Sequence, residues 1–219
     1  MPEPVRSQYE KWGLRGLLQR YPGLCLRPQA HGGALLEGDL EFSAHYGDHE
    51  PITDLYTVEI RVEADFPRSI PTVREMGGRI RDGFHTNPSD GTLCLGSRIK
   101  LKTALDRHPT LLGFAQNCLV PFFYSCSFRE QNGRLPWGDL AHGTPGLLDE
   151  YMSRLSVDNE KACLELIMLL GIRKRVANKR PCPCGSGRRV GKCHHRALNL
   201  LRAVASRSWF RGEHRRLSE

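Results

Sequence analysis

Between Gly38 and Ala64 the chain runs GDLEFSAHYGDHEPITDLYTVEIRVEA. Leu40, Phe42, Ala44 and Tyr46 alternate with other residues, and so do Tyr56, Val58, Ile60 and Val62. A period of two places each set on one face of a strand. Residues 38–46 and 55–64 are therefore predicted strands, joined by a turn at 48–51. Downstream, Phe66-Pro67 and Ile70-Pro71 bound a short loop. Residues 72–80 read as a third, weaker strand, with Gly77-Gly78 marking a bulge or turn. Upstream, residues 4–20 form an amphipathic helix carrying Tyr9, Trp12, Leu14, Leu17 and Leu18 near one face, stopped by Pro22-Gly23. A helix followed by three sequential strands predicts an α+β domain built on an antiparallel meander and flanked by helices.

Residues 81–102 show no clean period and contain Gly83, Pro88, Gly91 and Gly96. A loop of that length inside a domain is usually functional or disordered. Apolar residues at helical spacing then predict a helix over 110–123, which Pro121 should bend or end. Residues 127–144 read as a long polar loop holding Trp137, and 145–155 as a helix. Ser156 offers an N-cap for a helix over 157–172. Residues 173–180 are a basic linker, and 197–210 a short basic helix. No internal repeat is visible. The resulting division is a main domain over 1–172, the linker, a small knuckle over 181–195 and a basic tail over 196–219.

The 219 residues suffice for one good core and an appendage, and the balance of 39% hydrophobic to 26% charged residues is that of a globular protein. No stretch approaches about 18 uninterrupted apolar residues, and residues 1–20 lack an apolar signal core. A cytoplasmic protein with no membrane partner is expected. Of the eight cysteines, Cys25, Cys118 and Cys163 sit among apolar neighbours and read as small buried hydrophobes, while Cys126 is open either way. Charge is uneven. Residues 173–219 hold 14 Lys/Arg and 2 Asp/Glu, a net of +12, against −4 for the remainder. That basic surface suits nucleic acid, including ribosomal RNA, or an acidic protein partner, and a solvated tail without a target is the plain alternative. Trp209-Phe210 beside Arg211 suits stacking on a base or insertion into a protein groove.

Two clusters carry chemistry. The first is Cys182-x-Cys184-x8-Cys193-His194. Three thiolates and an imidazole are the borderline donors that a tetrahedral zinc takes. Ligands two residues apart come from one tight turn, and Gly185-Ser186-Gly187 can aim N–H groups at the sulfurs. So small a segment has almost no core, so structural Zn2+ would supply its folding energy. His195, next in sequence, is the competing fourth ligand, and three unpaired thiols in a disordered tail is the bland alternative. Pro181-Cys182-Pro183-Cys184-Gly185-Ser186-Gly187 followed by Lys192-Cys193-His194 resembles the SEC-C motif, named for the carboxyl terminus of the SecA translocase. The resemblance covers about 15 residues. It implies zinc and contact with partners such as a chaperone or the ribosome.

The second cluster is His85-Thr86-Asn87-Pro88-Ser89-Asp90-Gly91-Thr92-Leu93-Cys94-Leu95. A loop thiol can carry an acyl group as a thioester, and an Asn amide can donate to the oxyanion formed when an amine attacks it. Asp90 reads as a solvated carboxylate, and His31, His108 and His142 have no partner that the sequence names. The order of helix, meander, Phe66-Pro67…Ile70-Pro71, strand, His-x-Asn, Gly-x-Leu-Cys-Leu and helix resembles the ubiquitin-conjugating enzyme (UBC-like) fold over 1–172. The resemblance implies Cys94 as thioester nucleophile, Asn87 as oxyanion donor and His85 as a mainly structural residue. It also implies a ubiquitin-like protein and its activating enzyme as partners. Thr86 stands where that family has Pro, the Asn-to-Cys stretch is one residue shorter than in the common eukaryotic form, and residues 95–101 lack the family's Trp. These departures suit a divergent bacterial relative, of the kind found in anti-phage or conjugation operons. Two functions follow as expectations: a conjugating enzyme acting through Cys94, or an inactive adaptor of the same fold docking a chaperone, ribosome or nucleic acid through the knuckle and tail.

Overall fold

A computed structural model describes residues 3–29, 32–80, 85–137 and 143–218. His31, His142 and residues 81–84 of the loop before Cys94 lie outside them. The chain divides into two compact units, Met1–Gly138 and Asp139–Glu219. The boundary thus falls well before Ile172, where the sequence placed it.

In the first unit, α1 (Glu3–Lys11) and α2 (Leu14–Arg20) replace the single helix expected. Gly13 separates them at φ 68°, a left-handed turn that glycine adopts without a Cβ penalty. Four strands follow in the order β1-β2-β3-β4: β1 (Leu24–Pro28), β2 (Ala34–Ala44), β3 (Ile52–Val62) and β4 (Thr72–Glu75), all antiparallel. The meander was expected; β1 was not. The period-two pattern sets the core face. Leu36 lies opposite Ile60 and Leu40 opposite Tyr56, all four buried. Cys25 is exposed on edge strand β1, so it is not the buried hydrophobe expected; strand alternation turns it outward while Leu24 faces the core.

Helix α3 (Arg98–Arg107), capped by Ser97 Oγ accepting from the Lys100 N–H, occupies the end of the segment read as loop. The next rod comprises α4 (Leu111–Phe114), a π-helical segment (Ala115–Leu119) and α5 (Val120–Asn132). Pro121 neither ends it nor leaves it purely α-helical. The wider π turn just before it accommodates the missing N–H and the ring. Residues 127–132, read as loop, are the last turns of α5. By length and composition Leu111–Asn132 could cross a bilayer, but 67% of its most apolar window is buried inside the unit, as in a core helix.

A polar network joins α5 to the sheet. Phe123 stacks on Tyr56 at 4.4 Å, and the Tyr56 hydroxyl lies 3.0 Å from Ser127 Oγ. Ser127 donates to Asp54 at 2.6 Å, and Arg79 grips both Asp54 oxygens at 2.9 and 2.8 Å while reaching Glu130 at 2.6 Å. Burial pulls the Asp54 carboxyl up, but hydrogen bonds from Arg79 and Ser127 outweigh it and hold the group at about 2.

The second unit is helical: α6 (Gly143–Leu155), α7 (Glu160–Leu170), α8 (Lys174–Ala177), α9 (His195–Val204) and α10 (Arg207–Ser218). Asn159, not Ser156, caps α7, its side chain accepting from the Ala162 N–H at 3.0 Å. The segment read as linker holds the short helix α8, and the segment read as tail is two helices with a core. Helix α10 packs along α7, burying Phe210 beside a cluster that includes Leu166, Ile167 and Leu170. Glu213 is only 1% exposed and is held by Arg216 at 2.9 Å and the Tyr151 hydroxyl at 3.3 Å. A buried carboxylate needs such partners.

Candidate functional site

In the first unit, the loop around Cys94 is a small antiparallel bridge hung from the sheet. Thr86 pairs with Leu93, the Cys94 N–H donates to the His85 carbonyl at 2.6 Å, and the Asn87 N–H donates to the Thr92 carbonyl at 2.8 Å. The Leu93 N–H donates to the Val73 carbonyl of β4 at 2.7 Å, and the Leu93 side chain is buried. This fixes register. Around that bridge Asn87 lies opposite Thr92 and Cys94 opposite His85, whose φ of 49° departs from extended backbone. In a regular ladder Asn87 and Cys94 would be diagonal neighbours, a relation that spans about 7–8 Å. The Cys94 thiol is exposed.

Side chains brace this frame. The Asn87 amide donates to Thr92 Oγ1 at 2.7 Å, and that hydroxyl donates to Asp90 Oδ1 at 2.7 Å. Asp90 also accepts the Thr92 N–H at 3.0 Å, and these two bonds, the backbone one first, hold its carboxyl below the usual range. Asp90 is exposed, as expected of a solvated loop carboxylate, and it also braces the loop. One amide hydrogen of Asn87 is committed and orients the group; the other has no acceptor among the described residues. The His85 ring stands edge-on to Phe122 at 6.1 Å.

In the second unit, Cys182, Cys184, Cys193 and His194 bring one donor atom each to within 4.8 Å of one another. Pro181 bridges Arg189, and the Cys182 N–H donates to the Arg188 carbonyl at 2.8 Å, folding the intervening residues into a tight loop. Gly185 and Gly187 turn it at φ 76° and 70°, values that a side chain would strain. Val190, fully buried, anchors a 3-10 turn (Val190–Lys192), which delivers Cys193 and His194 at the start of α9.

Sulfur–sulfur separations are 3.4 Å for Cys184–Cys182 and 3.6 Å for Cys184–Cys193, and His194 Nδ1 lies 3.0 Å from Cys182 Sγ. Disulfides need about 2.05 Å, so these are free thiols. Donors around a tetrahedral zinc sit about 3.5–3.8 Å apart, given Zn–S of about 2.3 Å and Zn–N of about 2.0 Å. The set fits one small cation that accepts sulfur and nitrogen. His195 is turned away, its Nε2 lying 2.8 Å from Asn199 Nδ2 one helical turn on. The fourth donor in the cluster is therefore His194. Its other ring nitrogen lies 3.5 Å from the Ser156 carbonyl, where a metal-binding imidazole commonly finds a partner. Hydrogen bonds from Ser186 hold the Cys184 thiol down at about 6, whereas burial pushes Cys182 up to about 12. Ser186 Oγ and Arg188 Nη2 lie 3.3 and 3.7 Å from Cys193 Sγ. The Asp54–Arg79 network and the Thr92–Asp90 brace carry no sequence signature, because their partners are brought together by pairing and packing. No family model, curated protein or solved structure matches this chain, so a functional reading rests on the two clusters themselves.

Proposed function

We propose that the first unit is a UBC-like conjugating domain. It accepts a ubiquitin-like protein as a Cys94 thioester and passes it to an amine or another nucleophile. The observation that carries this reading is the bridged loop: an exposed thiol held in register with an asparagine whose amide is already oriented. The Cys94 thiolate attacks the activating enzyme's thioester carbonyl and expels that enzyme's thiolate. An incoming amine then attacks the Cys94 thioester, the oxyanion takes a hydrogen bond from the Asn87 amide, and the Cys94 thiolate leaves as the amide forms. His85 holds the loop. The cluster of Cys182, Cys184, Cys193 and His194 holds a structural zinc, which supplies folding energy to a segment with little core. The basic second unit selects the target or partner.

Incubation with an activating enzyme, ATP and a ubiquitin-like protein shown to work together tests this. A thiol-sensitive adduct is expected with the native chain, none with Cys94→Ala, and a thiol-resistant oxyester with Cys94→Ser. No adduct with a verified pair would sink the catalytic reading and leave an adaptor of the same fold.

A further inference from the structure

We propose that the second unit binds a phosphate group in a pocket walled by Arg173, Lys174, Arg202 and Arg207. The pocket has a volume of about 430 Å3 and lies where the chain leaves α7, where α9 ends and where α10 begins. Ile172, Ala205 and Ser206 complete its wall, and no carboxylate lines it. Four cations from three stretches of chain thus line one cavity without an internal counter-charge.

Two further features point to an anionic occupant. Arg202 Nε and Nη2 are buried and have no hydrogen-bond partner, while Nη1 reaches Asn199 Oδ1 at 3.4 Å. Elsewhere in this unit Arg154 pairs with Glu150, and Arg216 with Glu213. Burying guanidinium donors unpaired is costly, so a shift of the Arg202 side chain that brought Nε and Nη2 out to an anion in the pocket would recover what the fold leaves unsatisfied. The second feature is the start of α10, a helix of 12 residues. Ser206 takes the Trp209 N–H on its hydroxyl and the Phe210 N–H on its carbonyl. The Arg207 and Ser208 N–H groups have no hydrogen-bond partner among the described residues, which leaves the positive end of the helix open at the pocket edge.

The donor set suits phosphate better than carboxylate. A phosphoryl group presents three acceptor oxygens in different directions and carries about 1.5 to 2 negative charges. A single guanidinium fork can satisfy a carboxylate. The charge is also concentrated here: residues 139–219 carry 16 Lys/Arg against 8 Asp/Glu, whereas residues 1–138 carry 16 of each. The phosphate is either a terminal one, free or on a nucleotide, or a nucleic-acid backbone phosphodiester, which presents two free oxygens and one negative charge and would use fewer of these donors.

The test uses the full-length zinc-loaded chain in about 150 mM salt, near physiological screening. Calorimetry follows inorganic phosphate, and fluorescence anisotropy follows a labelled single-stranded RNA. Arg202→Met should weaken both probes about 10-fold or more, the loss expected for a charge-assisted contact. The Lys174→Ala/Arg207→Ala pair changes two exposed side chains, so the unit should stay folded, and it should also lose about 10-fold. Arg175→Ala/Arg215→Ala removes the same charge from exposed positions that do not line the pocket and should cost about 2-fold or less. Phosphate that displaces the RNA identifies a backbone phosphate as the occupant, and phosphate binding without RNA binding identifies a free one. The proposal fails if pocket and control pairs lose equally, if neither probe binds, or if an oligoglutamate peptide binds through these residues while phosphate does not.

Discussion

Replacing Thr92 by Val removes one hydroxyl and keeps the side-chain shape, and on the present reading it should slow transfer from Cys94 through Asn87 alone. The hydroxyl accepts from the Asn87 amide at 2.7 Å and donates to Asp90 at 2.7 Å, and Thr92 is 9% exposed. Asp90 would keep the Thr92 N–H at 3.0 Å, so the loop should stay folded. Asn87 would lose the bond that orients its amide. One such bond contributes about 1 kcal/mol net, so transfer should slow roughly 5- to 10-fold. Removing the donor outright in Asn87→Ala should cost about 100- to 1,000-fold. The assay is single-turnover discharge of preformed Cys94 thioester to excess lysine, followed on non-reducing gels. A double-mutant cycle separates positioning from any other effect. In the Asn87→Ala background, Thr92→Val should add almost nothing, because there is no amide left to orient. An equal slowing in both backgrounds, or none in the native background, would refute the argument.

Three further outcomes are expected. Metal analysis should find about one zinc per chain, lost with helical circular dichroism signal from the second unit in a Cys182→Ser/Cys184→Ser variant, since structural zinc contributes on the order of 10 kcal/mol to such a segment; full retention of metal would overturn the ligand assignment. His194→Ala should weaken zinc binding at least about 10-fold, whereas His195→Ala, whose ring faces Asn199, should leave it nearly unchanged, and a competition titration with a chromophoric chelator reads the difference. Asp54→Asn should destabilise the first unit at pH 7, measured by urea unfolding in a Trp209→Phe background so that Trp12 and Trp137 report. Since the folded carboxyl sits near 2 against an ordinary 3.8, its stabilisation is present above about pH 4 and lost as pH falls towards 2. The shift corresponds to at most about 2.4 kcal/mol, reduced to about 1–2 because the Arg79 and Asp54 side chains are 34% and 24% exposed. The gap should roughly halve by pH 3, and a gap independent of pH would show that shape, not charge, is responsible.

The sequence was legible where a local rule decides the structure. Period-two alternation located β2 and β3 because one face of each meets the core along its length. Strand β1 escaped because Leu-Cys-Leu-Arg-Pro buries fully only Leu24, too few positions to show a period. Helix α3 escaped because its buried residues, Ile99, Leu101 and Leu105, include a two-residue step that does not follow a helical stripe. Pro121 misled because a proline rule alone does not reveal a π turn that absorbs the ring. The domain boundary misled for a different reason. Helices α6 and α7 have apolar faces that would suit either unit; only their packing against α9 and α10 assigns them to the second.

The same distinction separates the two ligand sites of the second unit. The four candidate metal donors lie within 13 residues of sequence, so spacing and donor chemistry expose them, and only the fold distinguishes His194 from His195. The cations of the basic pocket come from residues 173–174, 202 and 207, and in sequence they are indistinguishable from the other basic residues around them. What distinguishes them is convergence, and the segment carrying the Cys/His cluster is tied to it. Cys193 and His194 lead directly into α9, whose other end carries Arg202. The Gly191 N–H, beside the cluster, donates to the Asn178 carbonyl at 3.1 Å, just past α8, which follows Arg173. Two walls of the pocket are therefore tied through backbone bonds to the segment that a metal would organise, so the Cys/His cluster and the basic pocket belong to one folded unit rather than to a knuckle followed by a basic tail.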